Sequence, residues 1–112
     1  MMFTTLKITS PLPTGSVVAF NGTAWAPAQD ASQLIGVTGD AFEHGGEWFA
    51  PVTFAGSCFA RASRAIAPEG GGLAVEAGGV FVGPLAGAGI VAPVAYDQPA
   101  PSAGDLVLVF LR

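Results

Sequence analysis

Glycine and proline interrupt this sequence so often that it leaves no room for a long helix. The chain has 16 glycines and nine prolines among its 112 residues, and they recur every few positions. Proline removes a backbone donor and glycine disfavours helix interiors, so both residue types favour turns. The runs between them are rich in Val, Ile, Leu and Phe, which is too apolar for a disordered chain. The sequence therefore predicts short strands joined by tight turns.

The apolar runs predict about eight to ten short strands with little or no helix. The predicted strands are residues 3–9, 16–20, 23–26, 34–38, 47–54, 57–62, 73–76, 80–82, 89–96 and 105–112. Short strands separated by regularly spaced turns are typical of small barrels and sandwiches. We expect an all-β fold, a small single-domain β-barrel or β-sandwich.

Several local details follow from the same runs. Asn21-Gly22 is a type I′ turn signal and predicts a hairpin. Pro51 is expected to place its strand at a sheet edge or a bulge. Alternation in 57–62 predicts small residues on one face and Phe59 and Arg61 on the other. The nearly continuous apolar run 105–112 predicts a strand that is buried on both faces.

No composition change divides the chain into two domains. Residues 15–112 are expected to form a single β domain, and residues 1–14 an N-terminal arm or edge strand. Pro11 and Pro13 set that first segment apart from the rest.

The chain is poor in charge, and this restricts its function. Only 11% of its residues are charged, against about 25% in a typical soluble domain. A folded monomer of this mass exposes roughly 5,700 Å², so large areas must be neutral or apolar. Contiguous apolar areas usually mark contact surfaces. We expect a subunit of an assembly; the alternative is a compact glycine-rich monomer with a plain surface.

Nucleic acid and membrane are not expected partners. The net charge is −4, and the basic residues are only Lys7, Arg61, Arg64 and Arg112, whereas phosphate binding needs a clustered basic face. Residues 77–96 lack charge, but their glycines and prolines favour buried strands and turns over a membrane span. The N-terminus does not resemble a signal peptide, so synthesis in the cytoplasm is expected.

The side chains that perform catalysis are scarce. His44 is the only histidine and Cys58 the only cysteine. The densest polar cluster is Asp40, Glu43, His44 and Glu47, which is either a metal or acid–base site or a solvated loop. No known ligand spacing occurs there. We predict no enzyme activity and no catalytic, cofactor or metal site. A small sugar-binding or enzymatic β-barrel is the alternative from another class.

Aromatic and apolar side chains are the remaining candidates for a functional surface. Trp and Tyr often carry much of the energy of a protein–protein contact, although the core is their commoner place. The candidate interface residues are Phe3, Leu6, Trp25, Trp48 and Tyr96.

Residues 15–41, "GSVVAFNGTAWAPAQDASQLIGVTGDA", resemble segments of virion proteins from tailed bacteriophages. In those proteins a hairpin of the form G-x-V-V-x-x-N-G-x-x-W-x-x-A leads into a strand containing Gly-Val. The matching residues here are Gly15, Val17, Val18, Asn21, Gly22, Trp25, Ala28, Gly36 and Val37. The closing "AGDLVLVFL" is similar to strand entries in small phage β-barrels.

This resemblance implies a structural role on a virion. The expectation is a head decoration, or cement, protein on the outer capsid surface that binds the major capsid protein and stabilises the shell. Such proteins are short, poor in charge and commonly homotrimeric, so a homotrimer is expected. The alternative is a tail-fibre, baseplate or head-fibre module that contacts the host surface.

Overall fold

A computed structural model describes residues 2–29, 35–66, 72–76, 79–82, 90–94 and 102–111. Within these ranges all regular structure is β, which confirms the predicted all-β fold. The ten strands are β1 (Met2–Ile8), β2 (Val17–Phe20), β3 (Trp25–Pro27), β4 (Ile35–Thr38), β5 (Phe42–His44), β6 (Glu47–Arg61), β7 (Leu73–Glu76), β8 (Gly79–Val82), β9 (Ile90–Val94) and β10 (Leu106–Leu111).

Five strands close into a small barrel. Strand β1 pairs in parallel with β3 at Ile8 and Trp25, and antiparallel pairs then link β3 to β2, β2 to β4 and β4 to β6. Strand β6 returns to β1 along seven register pairs and completes the ring. Closure gives most barrel strands a partner on both edges, which protects them from edge-to-edge aggregation.

Strand β6 joins the barrel to a second sheet. Its first part pairs with β1, β4 and β5, and its last six residues pair with β10, which in turn pairs with β9. The sequence predicted two strands here, with a break at Ala55-Gly56. That prediction is wrong, because Gly56 pairs with Leu111 and the strand continues through it.

Pro51 lies inside this long strand, not at an edge or bulge as predicted. It pairs with Thr5 of β1, and its carbonyl accepts a hydrogen bond from the Gly39 N–H at 2.7 Å. This position lies beyond the last β4 pair, Thr38 with Val52, and before the β5 pair of Phe42 with Phe49, so the ladder on that side is already interrupted at the proline.

The buried apolar side chains form two groups on opposite faces of β2 and β4. The barrel core consists of Ile8, Val18, Ala24, Ala50 and Val52. The second core lies between the barrel wall and the remaining strands and consists of Val17, Ala19, Ala28, Ile35, Val37, Ala60, Ala62, Ile66, Leu73, Val75, Val80, Val107, Val109 and Leu111. Because β2 and β4 lie between the two cores, nearly all of their residues are buried.

The β7–β8 hairpin covers one side of the second core. Val80 bridges to Ala62, and the Ser63 N–H donates to the Val80 carbonyl at 2.9 Å. Gly79 begins β8 at φ 137°, and a Cβ there would overlap the Arg61 carbonyl oxygen. Only glycine lets the two backbones approach so closely.

The predicted hairpin is present, but its turn is longer than expected. Phe20 and Trp25 are the last register pair, which leaves a four-residue loop instead of a two-residue type I′ turn. The Asn21 side-chain oxygen accepts hydrogen bonds from the N–H groups of Thr23 and Ala24, both at 2.9 Å. Gly22 supplies the positive φ, 101°, that the loop requires.

Candidate interaction surfaces

Among the side chains that the structure describes, four phenylalanines are exposed on strands. Their exposed fractions are 51% for Phe20, 46% for Phe42, 57% for Phe59 and 39% for Phe110. They lie at three places: one end of the barrel, the β5–β6 hairpin, and the β6–β10 sheet. A scattered exposed apolar side chain is ordinary, but large rings supported by neighbouring apolar groups are typical of contact surfaces.

The first of these surfaces is the β6–β10 apolar face, which we define as Phe59, Leu106, Leu108 and Phe110. Phe59 is directly opposite Leu108, and the intervening residues Ala60 and Val109 point into the second core. The predicted alternation of 57–62 is therefore confirmed. Strand β10 alternates as well, so the prediction that it is buried on both faces is wrong. Its second face has no covering layer among the described residues.

A cleft of about 380 Å³ opens beside this face. Its lining residues come from the barrel wall and from β6 and β10: Thr14, Val37, Thr38, Gly39, Thr53, Ser57, Cys58, Phe59 and Leu108. Two of its hydroxyls are already used within the chain, since Thr38 bonds to Ser16 N–H and the Pro13 carbonyl, and Thr14 bonds to Asp40. The cleft therefore favours an apolar occupant.

Cys58 lies in the wall of the cleft and packs against the second core. Burial raises the pKa of its thiol from 9.0 to about 11. A thiol of this kind stays protonated at neutral pH and is a poor nucleophile. The cleft thus contains no activated cysteine.

The second surface is the outer side of the β5–β6 hairpin. The rings of Phe42 and Phe49 stack with their centroids 6.0 Å apart, and Lys7 is opposite Phe49 on β1. The Lys7 ammonium binds the Glu47 carboxylate at 2.9 Å. An aromatic pair beside polar groups resembles the centre and rim of a protein interface.

The third surface is the end of the barrel. Trp25 contacts Phe20 on one side and Phe54 on the other, with ring centroids 5.7 and 5.2 Å apart. The Trp25–Phe54 contact is edge-to-face, a favoured geometry for aromatic rings. Phe20 is the exposed member of this cluster, whereas Trp25 and Phe54 are half-buried.

Every basic residue within the described ranges has an internal partner. Lys7 binds Glu47, and Arg64 binds Glu76 at 2.8 Å while its guanidinium stacks 3.8 Å above the Phe81 ring. Arg61 donates to the carbonyls of Thr14 and Gly104. These side chains therefore support the fold and do not form a basic patch.

The structure places three of the five predicted interface residues close together. Leu6, Trp25 and Trp48 are half-buried near Ile8, whose register partners are the two tryptophans. Phe3 pairs through its backbone with Thr53, and Tyr96 lies outside the described residues. The sequence-based selection favoured tryptophan and missed the four exposed phenylalanines. Strand alternation was the signal that could have found Phe59.

The polar residues 40–47 do not converge on one site: two of them bind other residues of the chain, and the others are exposed on strand β5. Asp40 bonds to Thr14, Glu47 binds Lys7, and Glu43 is exposed on β5. Across the described ranges, no three histidine, cysteine or acidic side chains lie close enough to hold a metal ion. In that same part of the chain, no helix has the length and apolar character to cross a membrane.

Comparison with known proteins gives no relative: no family model, no curated protein and no solved structure matches this chain.

Proposed function

We propose that this protein is a non-enzymatic subunit of a viral shell, a head decoration protein that binds the outside of a tailed-phage capsid. The observation that carries the proposal is the set of exposed phenylalanines at three separate places on a rigid β fold. Three apolar surfaces suit a subunit that contacts more than one neighbour, because each buried ring stabilises a contact. The similarity of residues 15–41 to virion proteins supports the capsid as the assembly.

Such a protein would act by holding neighbouring capsid subunits together and not by catalysis. A decoration protein bridges neighbouring capsid subunits and stabilises the shell by the surface buried at each contact. The closed barrel and the shared strand β6 provide a stiff body for this purpose. The expected partners are the major capsid protein and further copies of this chain.

The test is co-sedimentation of the purified chain with empty heads assembled from the major capsid protein of the same genome. We expect stoichiometric binding and a higher melting temperature for decorated heads. Phe42→Ser with Phe20→Ser removes two exposed rings from two surfaces, and this double variant should bind at least about tenfold more weakly. Thr23→Ser, in the exposed hairpin loop, is the matched control and should bind normally.

Two results would overturn the proposal. The first is the absence of binding to heads while the chain binds intact host cells, which would favour the tail-fibre, baseplate or head-fibre alternative. The second is head binding that the double variant and a Phe59→Ser variant both leave unchanged, because none of the three surfaces would then form the contact.

A further inference from the structure

Strand β1 has one fully paired edge and one edge that is almost entirely open. All of its residues pair with β6, whereas only Ile8 pairs with β3. Strand β3 begins at Trp25, directly opposite Ile8, so the barrel wall has a gap beside the rest of β1. Among the described strands, none pairs with residues 2–7 on this side, which we call the free edge of β1.

The backbone groups of Thr5 point out of the free edge. Thr5 pairs with Pro51, whose carbonyl accepts a hydrogen bond from the Gly39 N–H at 2.7 Å on the far side of β6. Two residues that face each other in an antiparallel ladder direct their backbone groups either towards each other or both away. The N–H and C=O of Thr5 therefore point away from β6, and the same alternation applies to Phe3 and Lys7.

The free edge lacks the features by which proteins usually block such edges. At the rise of an extended strand it is about 20 Å long, and it contains no proline. Its one charged side chain, Lys7, is neutralised by Glu47 at 2.9 Å. Short length, proline and uncompensated charge are the common ways to prevent a further strand from pairing, so this edge is open to one.

An aromatic cluster lies beside the free edge. Because β1 and β3 are parallel, the free edge lies at the barrel end where the Trp25 ring contacts Phe20 and Phe54. Leu6 is half-buried there, on the same face of β1 as Ile8, whose side chain belongs to the barrel core. A strand added to the free edge would direct every second side chain to this face.

The edge and the cluster together specify the chemistry of a partner. A row of outward N–H and C=O groups is matched by the backbone of an extended segment, and a folded apolar surface leaves these groups unpaired. The cluster adds a preference for apolar side chains at alternate positions, because Phe20 is still 51% exposed. Backbone pairing combined with sites for alternate side chains is how sheet edges recognise peptides.

We propose that the free edge of β1 binds an extended segment of a partner protein as an additional strand. Apolar side chains at every second position of that segment pack against Phe20 and Trp25. The proposal goes beyond the proposed function, because the site is defined by backbone pairing and does not require the partner to be a capsid protein.

The test is calorimetric titration of the full chain with a synthetic peptide of about eight residues, a common strand length. Valine and threonine alternate in this peptide, and a lysine at each end keeps it soluble. Thr5→Pro removes the outward N–H without removing a bond to β6, and it should weaken binding at least about tenfold, since one peptide carbonyl is left unpaired. Thr5→Ala keeps the N–H and is the matched control, which should bind as the wild type does.

A peptide of the same composition with its valines adjacent tests the alternation, and it should bind more weakly than the alternating peptide. Amide hydrogen exchange on the wild type keeps the test valid if Thr5→Pro fails to fold. The Thr5 amide should exchange quickly in the free protein and at least about tenfold more slowly with the peptide bound. The amides of Thr4 and Leu6 face β6 and should be protected in both states.

Several results would overturn the proposal. One is failure of the alternating peptide to bind, and another is equal binding by Thr5→Pro and Thr5→Ala. Protection of the Thr5 amide in the free monomer would show that another segment of the same chain already occupies the edge. A solution mass above 11.2 kDa that returns to this value in Thr5→Pro would assign the edge to a second copy instead.

This proposal and the decoration function fail separately. Head binding by a chain that does not pair with the peptide overturns the β1 site alone. Peptide pairing by a chain that does not bind heads overturns the decoration function alone.

Discussion

Gly36 shows how a single residue can be fixed by its surroundings. It lies on β4 opposite Val18, and a Cβ at this position would overlap Val52 Cγ1 and approach the Phe54 ring at 3.1 Å. The barrel is so narrow here that two facing side chains leave no volume for a third. A glycine within a strand often marks a bulge or a close approach, and at Gly36 it is the close packing inside the barrel that requires it.

We expect Gly36→Ala to lower the free energy of unfolding by about 1–3 kcal/mol, since overpacking strains a filled core. Denaturant unfolding of the single variants and of Gly36→Ala with Val52→Ala would measure it. The loss of unfolding free energy in the double variant should be smaller than the summed losses of the two single variants, by about 0.5–3 kcal/mol. The reason is that the smaller side chain at position 52 makes space for the new methyl group. Strictly additive losses would contradict this packing.

Cys58 should react slowly in the folded protein. Burial raises the pKa of its thiol from 9.0 to about 11, so the thiolate population well below pH 9 is about a hundredfold smaller than in the unfolded chain. Iodoacetamide labelling of native and denatured protein, followed by mass spectrometry, would check this. The reaction rate of the native protein should rise towards pH 11, and a midpoint near pH 9 would contradict the buried thiol.

The Cys58 thiol also makes the stability of the fold depend on pH in the alkaline range. A proton is held more tightly by the folded than by the unfolded thiol, so this contribution to stability is complete below pH 9. It is lost as the pH rises through about 11.

At the scale of elements, the β7–β8 hairpin is held by one polar network. Glu76 accepts hydrogen bonds from Ser63 Oγ at 2.7 Å and from Arg64 Nε at 3.0 Å, and Arg64 stacks on Phe81. The Ser63 hydrogen bond lowers the pKa of Glu76, the bond and charge of Arg64 act in the same direction, and partial burial opposes them. This network ties both hairpin strands to the end of β6.

We expect Glu76→Gln to be less stable than the wild type above pH 4.5. A lowered folded pKa contributes stability above the unfolded pKa, and this contribution is lost as the pH falls through the folded pKa. The difference between variant and wild type should therefore shrink in acid, as urea midpoints at several pH values would show. Glu47→Gln, which breaks an exposed ion pair, is the control and should have little effect. Equal pH dependence in both variants would contradict the network.

At the scale of the whole molecule, strand β6 makes the two cores one cooperative unit. The strand continues from the barrel into the β6–β10 sheet. Strand β2 contributes Val18 to the barrel core and Val17 and Ala19 to the second core. Neither core can be exposed without disrupting backbone pairs that the other needs. We therefore expect a single unfolding transition.

Val18→Ala in the barrel core and Val109→Ala in the second core should each lower the free energy of unfolding by about 1–3 kcal/mol. Both side chains are fully buried. Trp25 and Trp48 lie on barrel strands, so their fluorescence monitors the barrel, while circular dichroism monitors all strands. In both variants the two signals should shift together. A fluorescence transition that Val109→Ala leaves in place would show that the cores unfold separately.

The sequence by itself determined the class of fold and most of the strand positions. Dense glycine and proline exclude long helices, and apolar runs of four to eight residues select strands, because both effects act through local backbone preference. Local alternation likewise placed Phe59 on the opposite face from the small residues of 57–62, as the structure confirms. The low charge indicated contact surfaces without locating them.

Only the tertiary structure decided which strands pair and which surfaces stay open. Ring closure at Ile8 and Trp25, the continuity of β6 through Gly56 and the exposed second face of β10 depend on partners distant in sequence. Local pattern carries no information about those partners, so an apolar strand with one uncovered face looks the same as a fully buried one. The exposed phenylalanines and the cleft beside Phe59 exist because the barrel closes on itself and leaves the outer side of the β6–β10 sheet uncovered by any described strand.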